Sequence, residues 1–178
     1  MDRRQRKTKD SIFRAFIALL SQKSFNKITV NQIIDLADVG RATFYAHFET
    51  KDFLLRDLCA ELFDHLFNSD DKHNIFHCDN KDSVFVHLFK HVKENDNNIS
   101  KLLTSNNDDI FLDYFKKGVK MLVTQNSSQF EHRKPKIVPE DFWINHVTSV
   151  FIETLRWWLK NAMTESPEQI TEYFLQSV

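Results

Sequence analysis

Glycine, proline and cysteine are scarce in this chain of 178 residues: two glycines (Gly40, Gly118), three prolines (Pro135, Pro139, Pro167) and two cysteines (Cys59, Cys78). So few glycines exclude a Gly-rich phosphate loop, and so few turn formers exclude a fold of many short strands. Two cysteines make no disulfide framework, which points to a reduced, cytoplasmic protein. No apolar run approaches the ~20 residues that cross a bilayer, so no membrane insertion is expected. The basic residues after Met1 lead into no apolar segment of the kind a secretion signal requires. What is present is 42% hydrophobic and 28% charged residues, a globular balance, and a chain this long should bury about 70% of its unfolded surface. The expectation is an all-α protein.

The net charge of −1 hides an asymmetry. Residues 1–56 hold eleven Lys or Arg against six Asp or Glu, a net of +5, so the remainder carries −6. A basic head on an acidic body fits a polyanion-binding end; a solvated basic tail would have the same arithmetic.

Hydrophobic periodicity places about nine helices along the chain. Ile12, Phe13, Phe16, Ile17 and Leu20 predict a first amphipathic helix over about residues 8–23, capped by Thr8 or Asp10. After a polar break at 24–27, Thr29 and Gln32 form a capping box with Ile28 and Ile33 as a hydrophobic staple, so a second helix starts at Thr29. It should stop near Asp38, a residue type that tolerates the left-handed backbone of a tight turn. Gly40 can cap a short third helix stapled by Val39 and Phe44, and Thr50 a fourth that carries Leu54, Leu58 and Leu62. Residues 68–82 read as a loop or hinge. Val84, Phe85, Leu88, Phe89 and Val92 mark a fifth helix, Ile99, Leu102 and Leu103 a short sixth, and residues 110–124 a seventh, followed by a loop over 125–138. Pro139, Glu140 and Asp141 start an eighth that runs to about Met163. It bears two apolar stripes: Trp143, Val147, Val150 and Trp157 on one side, Ile144, Phe151, Leu155 and Trp158 on the other. Ser166, Pro167 and Gln169 open the last helix, with Ile170, Tyr173, Phe174 and Val178 as its stripe.

Two short helices joined by a turn of about three residues form helix-turn-helix geometry, in which the second helix enters the major groove. Its leading residues here are Gly40, Arg41 and Ala42. Arg41 suits a guanine edge and Ala42 a thymine methyl. Thr43, Tyr45, His47 and Lys51, and the start of the second helix from Thr29 to Asn31, offer donors to phosphates. Tyr45 and His47 would equally suit the cap of a small core. Residues 28–55, ITVNQIIDLADVGRATFYAHFETKDFLL, resemble the signature of TetR-family transcriptional regulators, with Thr29, Ile33, Ala37, Val39, Thr43, Phe44, Tyr45, His47, Phe48, Lys51 and Leu54 at matching positions. The resemblance implies a three-helix DNA-binding head over residues 1–50, an α-helical effector-binding and dimerisation domain over 51–178, and a homodimer that reads a palindromic operator in double-stranded DNA, expected to repress. It implies phosphate contacts from Thr43, Tyr45, His47 and Lys51 and base contacts from Asn31, Arg41 and Ala42. Two positions depart from the pattern: Asp38 replaces the turn glycine and Gly40 the serine that caps the recognition helix. The stretch RWWLKNAMTESPEQITEYF looks like the C-terminal helix pair of small family members from low-GC Gram-positive bacteria.

Tryptophans on two faces of the eighth helix call for cover from beyond its own domain. An intermolecular four-helix bundle of the last two helices is therefore expected, with Trp143, Phe151, Trp157, Trp158, Ile170 and Phe174 at the interface. By family analogy an unknown small-molecule effector would sit among Phe85, His87, Phe89, Phe111, Phe115 and Phe151, residues that plain core packing also accommodates. His87 and His91 lie four apart, and His73, His77 and Cys78 precede them, a spacing that metal ligands often have. No zincin glutamate follows His87 and no CxxC is present, so neither a metal nor a cofactor is expected. Cys59 reads as a packed core thiol. No nucleophile elbow or other catalytic pattern is present, so the chain is not expected to be an enzyme. The other class considered is a small-molecule-binding or adaptor protein, or an activator, whose head does not bind an operator; Arg41 and the basic arm weigh against it.

Overall fold

Residues 3–67, 76, 82–94, 100, 103 and 109–178 are described by the structure, a computed structural model. Eight α-helices have defined bounds among them: α1 (Arg3–Gln22), α2 (Val30–Ala37), α3 (Arg41–His47), α4 (Lys51–Phe67), α5 (Val84–Glu94), α6 (Asp109–Gln125), α7 (Glu140–Lys160) and α8 (Pro167–Gln176). No strand occurs among the described residues, in keeping with the all-α expectation. Ile99 and Leu102 of the expected sixth helix, and most of the 68–82 loop with His73, His77 and Cys78, lie outside them.

Local chemistry sets most helix ends. Thr29 and Gln32 close the expected capping box, Gln32 N donating to Thr29 Oγ1 and Thr29 N to Gln32 Oε1 (3.3 and 3.1 Å), and Ser166 and Gln169 repeat it before α8. Asp38 ends α2 in the left-handed region at φ 52°. α1 starts earlier than expected: Thr8 is neither a cap nor a boundary, and its hydroxyl donates to Arg4 O within the helix. Arginine, lysine and glutamine are good helix formers, and nothing in the basic arm interrupts them. α7 stops at Lys160, short of the expected Met163, because Ala162 and Met163 turn the chain through left-handed conformations.

One apolar core runs from Ile12 to Phe174. α4 feeds both of its ends, through Leu54 and Leu55 beside the head and Leu62, Phe63 and Leu66 beside the carboxy-terminal helices. Two stretches expected to be polar or loop-like contribute to it: each is tightened by 3₁₀ turns that bury one phenylalanine, Phe25 in the first and Phe130 in the second.

α7 is indeed covered twice, but by its own chain. α6 packs on one side and α8 on another, while Phe89 stacks on Phe151 at 4.9 Å and meets Trp158 edge-on at 5.4 Å from α5. Phe151, Trp158, Ile170 and Phe174 are therefore fully enclosed and present no surface to a partner, contrary to the sequence expectation. Of the expected interface residues only Trp157, 48% exposed, is widely open, with Trp143 at the margin; Phe142 and Tyr173 are exposed beside them. The expected pocket lining is likewise filled and divided. Phe85, Phe89 and Phe151 pack against one another and Phe174, whereas Phe111 and Phe115 join Phe63 in a separate group. Edge-to-face and offset ring contacts account for that closure.

Gly118, on α6, is buried where α4 crosses, and a β-carbon there would overlap the Phe63 ring. Replacing it by alanine would improve helix propensity by about 1 kcal/mol, but overpacking a closed core costs about 1–3 kcal/mol. Gly118→Ala should therefore lower stability, with a melting temperature reduced by a few degrees in a thermal scan.

Candidate nucleic-acid interface

α3 has seven residues, too few to be stable alone, since isolated helices below about 12–15 residues are marginal in water. Packing holds it. Phe44 is completely buried and Phe48 nearly so, their rings 6.0 Å apart, with Phe13 of α1 5.6 Å from Phe48. Burying a phenylalanine contributes about 1.5–3 kcal/mol, enough to offset the cost of forming so short a helix. With that face inward, the opposite face points out: Gly40, Arg41, Ala42, Thr43 and Tyr45 are exposed and His47 is half-buried. Tyr45 meets Phe44 edge-on at 5.5 Å yet keeps 48% of its surface, so it lies over the small core without closing it.

Asn31 at the start of α2 lies beside Arg41 at the start of α3, and Arg41 Nη2 donates to Asn31 Oδ1 at 2.5 Å. This single bond between exposed side chains aims the guanidinium and leaves most of its five N–H donors available. Thr29 Oγ1 accepts the capping-box bond from Gln32 N, which leaves its O–H to donate. Gly40 has an extended backbone (φ −71°), and a β-carbon there would meet only Thr43 Oγ1 at 3.5 Å. The position thus does not require glycine; the left-handed conformation of this turn belongs to Asp38.

Lys51 differs from the phosphate-facing expectation. Its ammonium donates to Phe25 O and Ile28 O (3.0 and 3.1 Å) and stands 4.4 Å from the centroid of the Phe25 ring. Lys51 therefore ties α4 to the α1–α2 connection, leaving one N–H for an anion.

Sequence reasoning assigned no particular residues to the basic arm. Arg3, Arg4 and Lys7, with Thr8 and Ser11, line an open cleft of about 500 Å³ against Ala37, Asp38 and Val39 of the turn. Three cations on the lip of the helix-turn-helix extend its basic surface along α1; the concentration of charge in the first third of the chain was the signal. α1 is braced on α4 by Lys9 and Glu61 at 2.6 Å. Burial pushes the nearby Asp10 and Asp64 carboxyls upward, with the Glu61 charge adding to the rise.

A helix-turn-helix head on an all-α body is the architecture of one-component transcriptional regulators. The chain belongs to the TetR family. Residues 9–58 match the profile described as bacterial regulatory proteins, tetR family, and residues 79–178 that described as transcriptional regulator C-terminal region. A TetR transcriptional regulator from Streptococcus agalactiae 2603V has a solved structure similar to this chain, at 38% identity and a TM-score of 0.77, covering 99% of this chain and 96% of that one. The dihydroxyacetone kinase operon activator DhaS shares the fold (20% identity, TM-score 0.64, 96% of each chain). An uncharacterized HTH-type transcriptional regulator of Bacillus subtilis (strain 168), YxbF, is 26% identical over 188 residues, 99% of this chain. The chain spans about half (46%) of the length of that curated relative. Membership places the chain among transcription factors rather than enzymes. No described helix is long and apolar enough to cross a membrane.

Lys51→Met, which keeps much of the apolar stem but removes the charged donor, should lower stability by about 1–3 kcal/mol in urea titrations, through two carbonyls left without their cation.

Proposed function

We propose that this chain binds operator DNA as a homodimer through α2 and α3 and represses transcription. The observation that carries the reading is the α3 edge: Phe44 and Phe48 are sunk in the head, while Arg41, Ala42, Thr43 and Tyr45 face outward with Arg41 aimed by Asn31. In this reading Arg41 reads a guanine and Ala42 a thymine methyl, with Asn31 beside them. Thr29, Thr43, Tyr45, His47 and the remaining N–H of Lys51 fix the register on phosphates, and the arginines of the α1 arm add to the electrostatic footprint.

Two heads would be held by α7 and α8. Trp157 and Tyr173 support this, with rings 6.4 Å apart, both about half exposed, and with Phe142 exposed on the same helix as Trp157. Single exposed aromatics are unremarkable, but three on the last two helices match the aromatic anchors of a self-complementary interface. The paired heads would meet half-sites about 34–36 Å apart, or a multiple of that spacing.

A gel shift with the promoter region adjoining the chain's own gene should show affinity falling about 10³- to 10⁵-fold between 50 and 200 mM salt if six to ten phosphates are contacted. Arg41→Ala should cost about 1–3 kcal/mol and relax base preference at one position of each half-site. An Arg41→Ala protein with unaltered sequence preference would refute the assignment.

Light-scattering chromatography should give twice the 21.2 kDa chain mass at micromolar concentration. Trp157→Glu should shift the species toward the monomer without loss of helicity; a monomeric wild type would remove the basis for paired heads.

A further inference from the structure

His65 near the end of α4, and His87 and His91 four apart on α5, converge at the α4–α5 contact. All three are buried, and one ring nitrogen from each lies within 4.8 Å of the others. The ring centroids are 4.7 Å (His87 and His91), 4.9 Å (His65 and His87) and 5.2 Å (His65 and His91) apart. His87 Nε2 and His91 Nε2 are 3.0 Å apart.

We propose that His65, His87 and His91 bind one divalent first-row transition-metal ion, Zn²⁺ foremost, and so clamp α4 to α5. Three imidazoles form a donor set for zinc, which they hold at about 2.0–2.1 Å with a fourth position open to water or another donor. Tetrahedral geometry at that bond length separates neighbouring nitrogens by about 3.3 Å. The observed 3.0 Å pair is already close to this, and the 4.8 Å limit on the three leaves His65 at most about 1.5 Å to close. Histidines four apart project from one helix face, a proven way to present two ligands to one ion. Imidazole suits zinc, cobalt, nickel and copper and disfavours magnesium and calcium, which take oxygen donors. A metal takes imidazole through the lone pair of its neutral form, so binding should strengthen as pH rises. The opposing arrangement is one N–H donating across the 3.0 Å gap between the two histidines of α5, in which the cluster is a polar contact and takes no ion.

The full-length chain, stripped with chelator and titrated with Co²⁺ alone, should bind one ion per chain with the visible absorption of a four- or five-coordinate site, and Zn²⁺ should displace it. Thermal scans should show the melting temperature rising with metal concentration, because the ion binds the folded state. His65→Gln, His87→Gln and His91→Gln should each weaken Co²⁺ binding by more than about tenfold, as even outer partners of a ligand can cost that much. His132→Gln and His146→Gln should leave it unchanged. Absence of stoichiometric binding would overturn the proposal. So would binding that survives in the His87→Gln/His91→Gln protein but disappears in a His73→Gln/His77→Gln/Cys78→Ser protein. Should the cluster variants fail to fold, crystals of the unaltered chain grown with Co²⁺ decide the matter: an anomalous peak between the three imidazoles supports the site, and a peak elsewhere or none refutes it. None of these measurements involves DNA, so the metal site and the operator reading succeed or fail separately.

Discussion

The burial of Phe44 and Phe48 is the constraint on which the exposed end of this molecule depends. A seven-residue helix has no stability of its own, and its orientation is whatever its apolar contacts impose. Because Phe44 is fully enclosed and Phe48 rests on Phe13, α3 has one way to sit, and that way sends Arg41, Ala42, Thr43 and Tyr45 outward together. The polar face is a by-product of apolar packing on the opposite side. Lys51 reinforces the arrangement from beneath by holding the two carbonyls that join α1 to α2.

The body obeys the same physics on a larger scale. α7 is apolar on two faces, and most of both is covered within the chain by α5, α6 and α8, with Trp157 left half exposed. Ion pairs contribute at the margins: Lys90 joins Asp82 at 2.6 Å and Glu168 at 3.3 Å, stitching α5 to the start of α8, but partly exposed pairs of this kind are worth at most about 1 kcal/mol each. Aromatic closure holds the body, and the ion pairs refine register.

How much of this was legible in the sequence follows from how local each signal is. The capping boxes at Thr29–Gln32 and Ser166–Gln169, the Asp38 turn and the Gly40 start of α3 are set by residues within four positions of one another, and all could be read directly. Phe25 and Phe130 could not, because a lone aromatic in a polar stretch has no periodicity and only the fold brings a core to it. The two stripes of α7 were visible, but which surface covers them is a tertiary fact: Phe151 and Trp158 looked available for a partner and are enclosed by their own chain. Lys51 matched a family pattern by position, whereas its hydrogen bonds depend on where Phe25 and Ile28 end up. His65 gave no signal at all. It stands 22 residues before His87, and no spacing rule reaches across a connection of that length.

The missing side chain at Gly118 lets α4 cross α6 closely. Phe63 lies in the hollow it leaves, like a pin in a socket, and Lys51 lies twelve residues away along the same helix, an arm of about 18 Å at 1.5 Å per residue. The absence of one methyl group thus sets, through the length of a single helix, where Lys51 meets the carbonyls of the head.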